Sequence, residues 1–318
     1  MKTDLSLISR PIFLVGAERS GTTLLRLMLD HHPQLSFYSE FEYAVDCIPD
    51  GEGLPDLDDY YDWLETHRIF QDSGFAIDRT LSYPQLVNSF LSQKRDRDAK
   101  PLIGATVHHH FDKLLRIWPD ARFIHIIRDG RDVARSAIGM GWAGNVWTGV
   151  ERWIEAEHLW LKLSQSIPSE RKIDLTYEDL IAKPIDVLTG LCNFIGIPYN
   201  DAMLSYAQTS TYDVPDARLI GQWRRKMSEY EIQLVELRIG DMLVERGYEL
   251  SGLPKLILTP SIQLKLKLED WWNRVKFRIE RNGLPLFISD YLSRRFGLVQ
   301  WQKNVRLQLN EIETKYLK

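Results

Sequence analysis

The sequence predicts an α/β protein, with a mostly parallel β-sheet covered by helices on both faces and a C-terminal helical extension. Two observations carry this expectation. Apolar runs of strand length recur at Pro11-Ile-Phe-Leu-Val15, Leu102-Ile-Gly-Ala105, Arg122-Phe-Ile-His-Ile-Ile127 and Lys172-Ile-Asp-Leu-Thr176. Longer stretches with helical spacing of apolar residues separate them, at 84–95, 109–117, 131–138 and 146–165. Strands alternating with helices form crossover units, which lay the strands parallel and the helices over the sheet. A chain of 318 residues, 44% hydrophobic and 26% charged, can bury the core this fold needs.

Taken in order, the first apolar run is closed by Gly16 and reads as a buried parallel strand. Thr22 to His31 places Leu24, Leu25, Leu27 and Met28 at helical spacing and stops before Pro33. The run Leu35-Ser-Phe37-Tyr38-Ser39 then reads as a short strand returning to the sheet. Residues 1–254 are expected to form the main domain. Residues 255–318 are expected to form a basic, amphipathic helical extension, broken at Pro260 and Gly283-Leu-Pro285.

Charge divides along the same boundary. The extension holds 13 Lys/Arg against 6 Asp/Glu, a balance of +7, and subtracting this from the chain's −4 leaves −11 for residues 1–254. So acidic a body excludes general nucleic-acid binding, which draws on a basic surface. The extension, with Trp271 and Trp272 among basic residues, suits a peripheral membrane surface, an acidic acceptor, a partner subunit, or packing back on the body. No stretch approaches the roughly 18 apolar residues of a membrane-spanning helix, and MKTDLSLISRP lacks a leader's basic-then-apolar layout. Cys47 and Cys192 are far apart and read as free thiols, so a soluble cytoplasmic protein is expected.

Gly16-x-x-x-x-Gly21-Thr22-Thr23 has the glycine spacing of a phosphate-binding P-loop and lies between a predicted strand and a predicted helix. Backbone N–H groups and the positive helix end cradle a phosphate in such a loop. Thr22 stands where a nucleoside triphosphatase carries lysine, and Arg19 supplies a cation earlier in the loop. This disfavours the rival reading of a P-loop kinase or hydrolase. It suits a donor with one phosphate bearing the transferred group, whose departing charge an arginine can neutralise. A second anion site is expected at Arg128, where the strand 122–127 ends and ligands of open α/β sheets bind. Arg131 and Arg135 read as an ion-paired, solvated helix start.

The segment Arg19-Ser20-Gly21-Thr22-Thr23-Leu24-Leu25 resembles the 5′-phosphosulfate loop of sulfotransferases that use 3′-phosphoadenosine-5′-phosphosulfate (PAPS). The continuation to Pro33 is closer to the arginine-type branch, which includes tyrosylprotein, carbohydrate and many bacterial sulfotransferases. The resemblance spans about residues 11–247 and implies a P-loop-like fold. It also implies transfer of a sulfuryl group to a hydroxyl acceptor by in-line displacement, leaving adenosine 3′,5′-bisphosphate, with no metal required. The acceptor class stays open among carbohydrate, lipid, small metabolite and peptide. Arg19, Ser20, Gly21, Thr22 and Thr23 would hold the 5′ end of the nucleotide. Arg128 and Ser136, eight residues later, would hold the 3′-phosphate, and Tyr177 in Tyr177-Glu-Asp-Leu would be a further donor contact. Gly130 stands where the family often has proline, and Ala105-Thr106-Val107 replaces a segment that in several relatives carries lysine. That last departure keeps open a non-catalytic nucleotide-binding module.

The resemblance also points to the base that takes the acceptor's proton. The catalytic glutamate of tyrosylprotein relatives falls 21 residues after the loop arginine, which lands on Glu40. Glu40 also ends the short strand after Pro33, and a carboxylate there suits general-base work. Glu42 is the competing carboxylate. His108, His109 and His110 remain alternates, since other family members use a histidine base, although adjacent histidines rarely share one metal.

Overall fold

The computed structural model describes residues 7–316, so the first six residues of the leader-like comparison above and the last two of the extension lie outside the described residues. In chain order the elements are β1 (Ile12–Val15), α1 (Thr22–Asp30), β2 (Leu35–Glu40), α2 (Leu57–Leu64), α3 (Arg68–Ser73), α4 (Tyr83–Asp98), β3 (Leu102–Val107) and β4 (Arg122–Ile127). They continue as α5 (Gly130–Gly139), α6 (Val146–Gly149), α7 (Glu151–Ser166), β5 (Lys172–Thr176), α8 (Tyr177–Ala182), α9 (Pro184–Ile195) and α10 (Trp223–Lys226). The last four are α11 (Glu229–Glu245), α12 (Pro260–Asn282), α13 (Leu284–Phe296) and α14 (Val299–Tyr316). Each predicted strand appears within two residues of its expected bounds. Two helical expectations are corrected. The stretch 109–117 is a 3-10 helix over Phe111–Arg116, entered through His110 in the left-handed region at φ 52. The stretch 146–165 breaks at Val150 into α6 and α7. Among the described residues no helix is long and apolar enough to cross a membrane.

The chain divides into two compact units. Among the described residues the first comprises 7–62, Ser73–Arg128 and Arg152–Gln222, and it contains the sheet. The strands run in the order β2-β3-β1-β4-β5, every pair parallel. β1 lies at the centre, with Val15 opposite Val107 on one side and His125 on the other. Alternate residues of a strand face opposite ways. Ile12 and Leu14 join Ile124 and Ile126 in a cluster with Leu25 and Met28 of α1, Leu180 of α8 and Leu188 of α9. Phe13 faces the other way, its ring 5.3 Å from Trp118 and 6.0 Å from Phe123. Both faces are therefore covered, each buried side chain contributing about 1.5–3 kcal/mol. A parallel sheet aligns all its C-terminal ends on one rim, so Gly16, Glu40, His108, Arg128 and Tyr177 stand at or just beyond neighbouring strand ends.

Among the described residues the second unit comprises Trp63–Asp72, Asp129–Glu151 and 223–316, so the basic extension forms helices α12 to α14 within it. Arg131 is buried at its centre, which corrects the expected solvated helix start. Its Nη2 donates to Asp129 Oδ2 at 2.7 Å and its Nη1 to Glu236 Oε1 at 2.6 Å, with the Trp223 ring centroid 3.7 Å from the guanidinium. Two carboxylates compensate the desolvated charge, so burial is tolerated. Gly144 lets α12 approach closely, because a Cβ there would stand 2.4 Å from the Asp270 carbonyl oxygen. The same segment donates from Gly144 N to Asp270 Oδ1 at 2.7 Å and from Asn145 Nδ2 to the Leu266 carbonyl at 2.8 Å.

A second buried ionic cluster ties the sheet edge to α7 in the first unit. His125 of β4 is 2.8 Å from Asp174 Oδ1 through Nδ1 and 3.1 Å from Glu157 Oε1 through Nε2. Trp160 stacks on the imidazole at 4.5 Å and donates to the same Asp174 oxygen at 2.7 Å. Burial opposes the imidazolium, but the hydrogen bonds to Asp174 and Glu157 outweigh it and raise the His125 pKa. His125→Ala removes the imidazole from beside a buried carboxylate. Urea unfolding of that variant is expected to show a loss of about 3–5 kcal/mol; a loss under about 1 kcal/mol would mean the cluster behaves like a surface ion pair.

Candidate active site

The loop between β1 and α1 has three residues in the left-handed half of backbone space: Gly16 (φ 143), Arg19 (φ 72) and Gly21 (φ 96). Gly16 and Gly21 are required by space as well as by φ. A Cβ at Gly16 would stand 2.3 Å from the Ile126 carbonyl oxygen, and one at Gly21 would stand 2.3 Å from Cδ2 of Tyr177. Arg19 carries the strain of a non-glycine residue at positive φ, a conformation that persists where surrounding contacts over-determine it. Gly21 caps α1 without a side chain, and no acidic residue lies in the first turn. The first-turn N–H groups therefore face an anion without competition from the helix's own cap. Ser20 Oγ is fully buried in the loop with no hydrogen-bond partner among the described residues, as expected of a group whose partner is a bound anion.

Arg128, at the end of β4, belongs to the same assembly. Its Nη1 donates to the Arg19 carbonyl at 3.3 Å and its Nη2 to the Leu219 carbonyl at 3.0 Å. Its guanidinium lies 4.3 Å from the centroid of Tyr177, the ring that also fills the space beside Gly21. The structure thus joins Arg19, Ser20, Gly21, Thr22, Thr23, Arg128 and Tyr177 within the first unit. Ser136 lies half-buried on α5, which belongs to the second unit.

The carboxylates and histidines separate into distinct roles. Glu40 ends β2, exposed, in register with Thr106 of β3 after an irregularity at Ser39. Glu42 is buried, and its Oε1 accepts from His108 N at 2.9 Å and from His108 Nδ1 at 2.6 Å. His108 Nε2 lies 3.0 Å from Thr22 Oγ1, the first residue of α1. Glu42, His108 and Thr22 therefore form one buried chain. Burial opposes charge on both Glu42 and His108, yet their attraction and hydrogen bond prevail, lowering the Glu42 pKa and pushing His108 up to about 9. Glu18 and Glu40 add to the His108 shift. The raised pKa favours the imidazolium at neutral pH; in that form Nε2–H would donate to Thr22 Oγ1, and the single hydroxyl proton of Thr22 would be left for another acceptor.

His109 instead pairs with Asp46 at 2.8 Å, and His110 meets the His109 ring edge-on at 5.2 Å. Burial and the positive Lys113 and His109 lower the His110 pKa. Among the described residues no group of three or more His, Cys, Asp or Glu is placed to hold a metal ion. Ala105 is fully buried in β3 opposite Phe13, so this position brings no cation to the rim. Sequence reasoning singled out Glu42, His108 and Thr22 separately but missed their union, because the contacts close across 66 and 86 residues.

The sequence matches the family model described as Sulfotransferase family over residues 11–201, more than half the chain. The chain belongs to the sulfotransferase family. A protein-tyrosine sulfotransferase of Drosophila melanogaster is 24% identical over 216 residues, covering 62% of this chain and 40% of the fly protein. The chain thus spans well under two thirds of that relative's length. Two solved structures share the fold. The sulfotransferase domain from the curacin biosynthetic pathway has a TM-score of 0.57 at 17% identity, covering 77% of this chain and 100% of that domain. The sulfotransferase domain from the Synechococcus PCC 7002 olefin synthase has a TM-score of 0.52 at 21% identity, covering 80% and 99%.

The raised His108 pKa makes a stability prediction for this sulfotransferase-family chain. A group raised on folding contributes stability that is full below its unfolded pKa of about 6.5 and fades as pH rises through its folded value, here about 9. The stability gap between the protein and His108→Gln is expected to be widest near pH 6 and to narrow as pH rises through that window. Denaturant unfolding across a pH series checks this. A constant gap would mean that the ring is neutral in the folded protein.

Proposed function

We propose that this chain transfers a sulfuryl group from PAPS to a hydroxyl acceptor. The observation that carries this reading is the junction of two cationic sites, with Arg128 Nη1 bonded to the carbonyl of Arg19 at 3.3 Å. A nucleotide phosphorylated at both the 5′ and 3′ positions needs two such sites at one rim, whereas a nucleoside triphosphate needs a loop lysine that is Thr22 here. The residues fit such a donor on their own terms. The buried, unpartnered Ser20 Oγ and the uncapped first turn of α1 suit a 5′-phosphate. Arg19 and the hydroxyls of Thr22 and Thr23 would complete that contact. Arg128 would take the 3′-phosphate, and Ser136 is assigned the neutral hydrogen bond to it on sequence spacing alone.

PAPS supplies an activated sulfuryl group and a phosphate leaving group. The chain's own residues would orient it, remove the acceptor's proton and neutralise the departing charge. The acceptor oxygen forms a bond to sulfur as the bond from sulfur to the bridging phosphate oxygen breaks, and Glu40 receives the hydroxyl proton. Glu40 is favoured over His108 because it is exposed at the rim, while both nitrogens of His108 are occupied. An imidazolium bound to Glu42 and Thr22 has no lone pair to accept a proton. His108 is instead read as a positioning residue that aims the Thr22 proton at the donor's phosphate. Arg19 stabilises the negative charge that builds on the leaving phosphate. The fly relative is by name a protein-tyrosine sulfotransferase, which makes a tyrosine hydroxyl one acceptor class beside carbohydrate, lipid and small-metabolite hydroxyls.

Adenosine 3′,5′-bisphosphate at about 100 times its Kd is expected to stabilise the fold by about 2.7 kcal/mol, raising Tm by several degrees. Arg128→Ala should remove most of that shift. An unchanged melting curve of the wild-type protein at millimolar ligand would overturn the donor assignment. Glu40→Gln should keep the ligand-induced shift and lose at least about 100-fold in transfer rate, measured with labelled PAPS and an acceptor captured from a cell extract. A His108→Gln variant that loses activity to the same degree, with Glu40→Gln unaffected, would make the imidazole the base.

A further inference from the structure

Helices α12 and α13 enclose a groove of about 520 Å³ at the surface of the second unit. Four arginines line it, Arg274 and Arg278 from α12 and Arg294 and Arg295 from α13, with Trp271 and Tyr291 as aromatic walls. Two of these charges are compensated: Arg274 pairs with Asp270 at 3.4 Å, and Arg294 Nε donates to Asp290 at 2.9 Å. Arg278 and Arg295 make neither a salt bridge nor a hydrogen bond among the described residues, and Asp290 acts on Arg278 only electrostatically. Burial and the positive Arg274, Arg294 and Arg281 lower the Arg278 pKa against the attraction of Asp290. The groove therefore holds an uncompensated positive charge.

An apolar stripe runs into the same groove. Leu264, Leu268, Trp271 and Trp272 follow the i, i+4, i+7 and i+8 spacing of one helical face, and each is about 60% exposed. Trp271 belongs to both features, so the aliphatic stripe, the tryptophan pair and the arginine groove are continuous. Tyr291, also 60% exposed, extends the aromatic edge onto α13. Scattered exposed apolar residues need no explanation, but a contiguous stripe beside unpaired arginines does.

The chemistry selects the occupant. Tryptophan and tyrosine favour a boundary with one apolar and one wet side, and leucines on the exposed stripe need an apolar phase. Guanidinium forks match phosphate oxygens, and polybasic segments gain from an anionic leaflet. A second copy of this chain meeting the same face across a two-fold axis would set the arginine grooves against each other. We propose that this face of α12 and α13 docks on an anionic phospholipid bilayer. Leu264, Leu268, Trp271 and Trp272 would enter the headgroup boundary, and Arg278 and Arg295 would engage lipid phosphates. A surface-bound transferase would meet acceptors that are themselves confined to the bilayer or carried beside it.

The full-length protein mixed with phosphatidylcholine vesicles containing about one-third phosphatidylserine is expected to co-sediment, with a blue shift in tryptophan emission. Pure phosphatidylcholine vesicles should bind it far less. Arg278→Gln with Arg295→Gln should weaken binding about fivefold for each arginine lost, and Trp271→Ala with Trp272→Ala should abolish the emission shift. All four positions are exposed, and an unchanged Tm for each variant guards against misfolding as the cause. Failure to co-sediment, equal binding to neutral vesicles, or binding that survives both double substitutions would overturn the proposal. So would a dimer in light scattering that Trp271→Ala with Trp272→Ala dissolves.

Discussion

The Tyr177 ring occupies the volume that a side chain at Gly21 would need, and the Arg128 guanidinium lies 4.3 Å from the centroid of the same ring. This contact couples three strand ends. Gly21 closes the loop that leaves β1, Arg128 leaves β4, and Tyr177 leaves β5 at the sheet's edge. The loop can take its left-handed turns at Arg19 and Gly21 because the ring fixes one flank, while Ile126 pressed against Gly16 fixes the other. Arg128 in turn bonds the Arg19 carbonyl, so the strained residue is held by a second cation at the rim. Any residue larger than glycine at position 21 would displace the ring, and with it the seat of Arg128.

Three buried ionic groups recur in the structure, and each is satisfied by more than one partner. Arg131 has Asp129 and Glu236, His125 has Asp174 and Glu157, and His108 has Glu42 and Thr22. Desolvation alone would drive each toward neutrality, and only matched geometry reverses that. Their positions differ in consequence. The first ties α5 to α11, and the second ties β4 and β5 to α7. The third reaches the first turn of α1, where the direction of a single hydroxyl proton decides whether Thr22 accepts or donates. The same physics builds all three, and the third is distinguished by the hydroxyl that stands at its end.

Much of this was legible in the sequence because the signals are local. The apolar runs at 11–15, 122–127 and 172–176 announce strands without help from tertiary contacts, and the spacing of Gly16 and Gly21 announces the loop. Glu40 was placed at a strand end by Pro33 and the short run that follows it. What stayed hidden depends on distant partners. Arg131 looked like a solvated helix start because its second carboxylate, Glu236, is 105 residues away. The 3-10 turn after His110 follows from a left-handed residue that helical periodicity cannot register. Helix α11 did leave a local mark in Ser228-x-x-Glu231, a capping box whose reciprocal hydrogen bonds are present. The pairing of Glu42 with His108 left none, since a buried carboxylate and a surface one are the same letter.

A sheet whose strands all point one way separates what must be kept from what can vary. The strands and their apolar partners carry the cost of folding, while each chemical group at the rim sits on a connection that enters and leaves the same scaffold. The segment after β2 and the histidines after β3 lie beyond the paired residues, so they stand outside the register of the strands. Such a rim is nonetheless cross-braced, since Arg128 and Tyr177 tie the ends of β4 and β5 to the first loop, and Glu42 and His108 tie the segments after β2 and β3 to Thr22. Exchanging one connection therefore has consequences for its neighbours, and the first loop meets most of them.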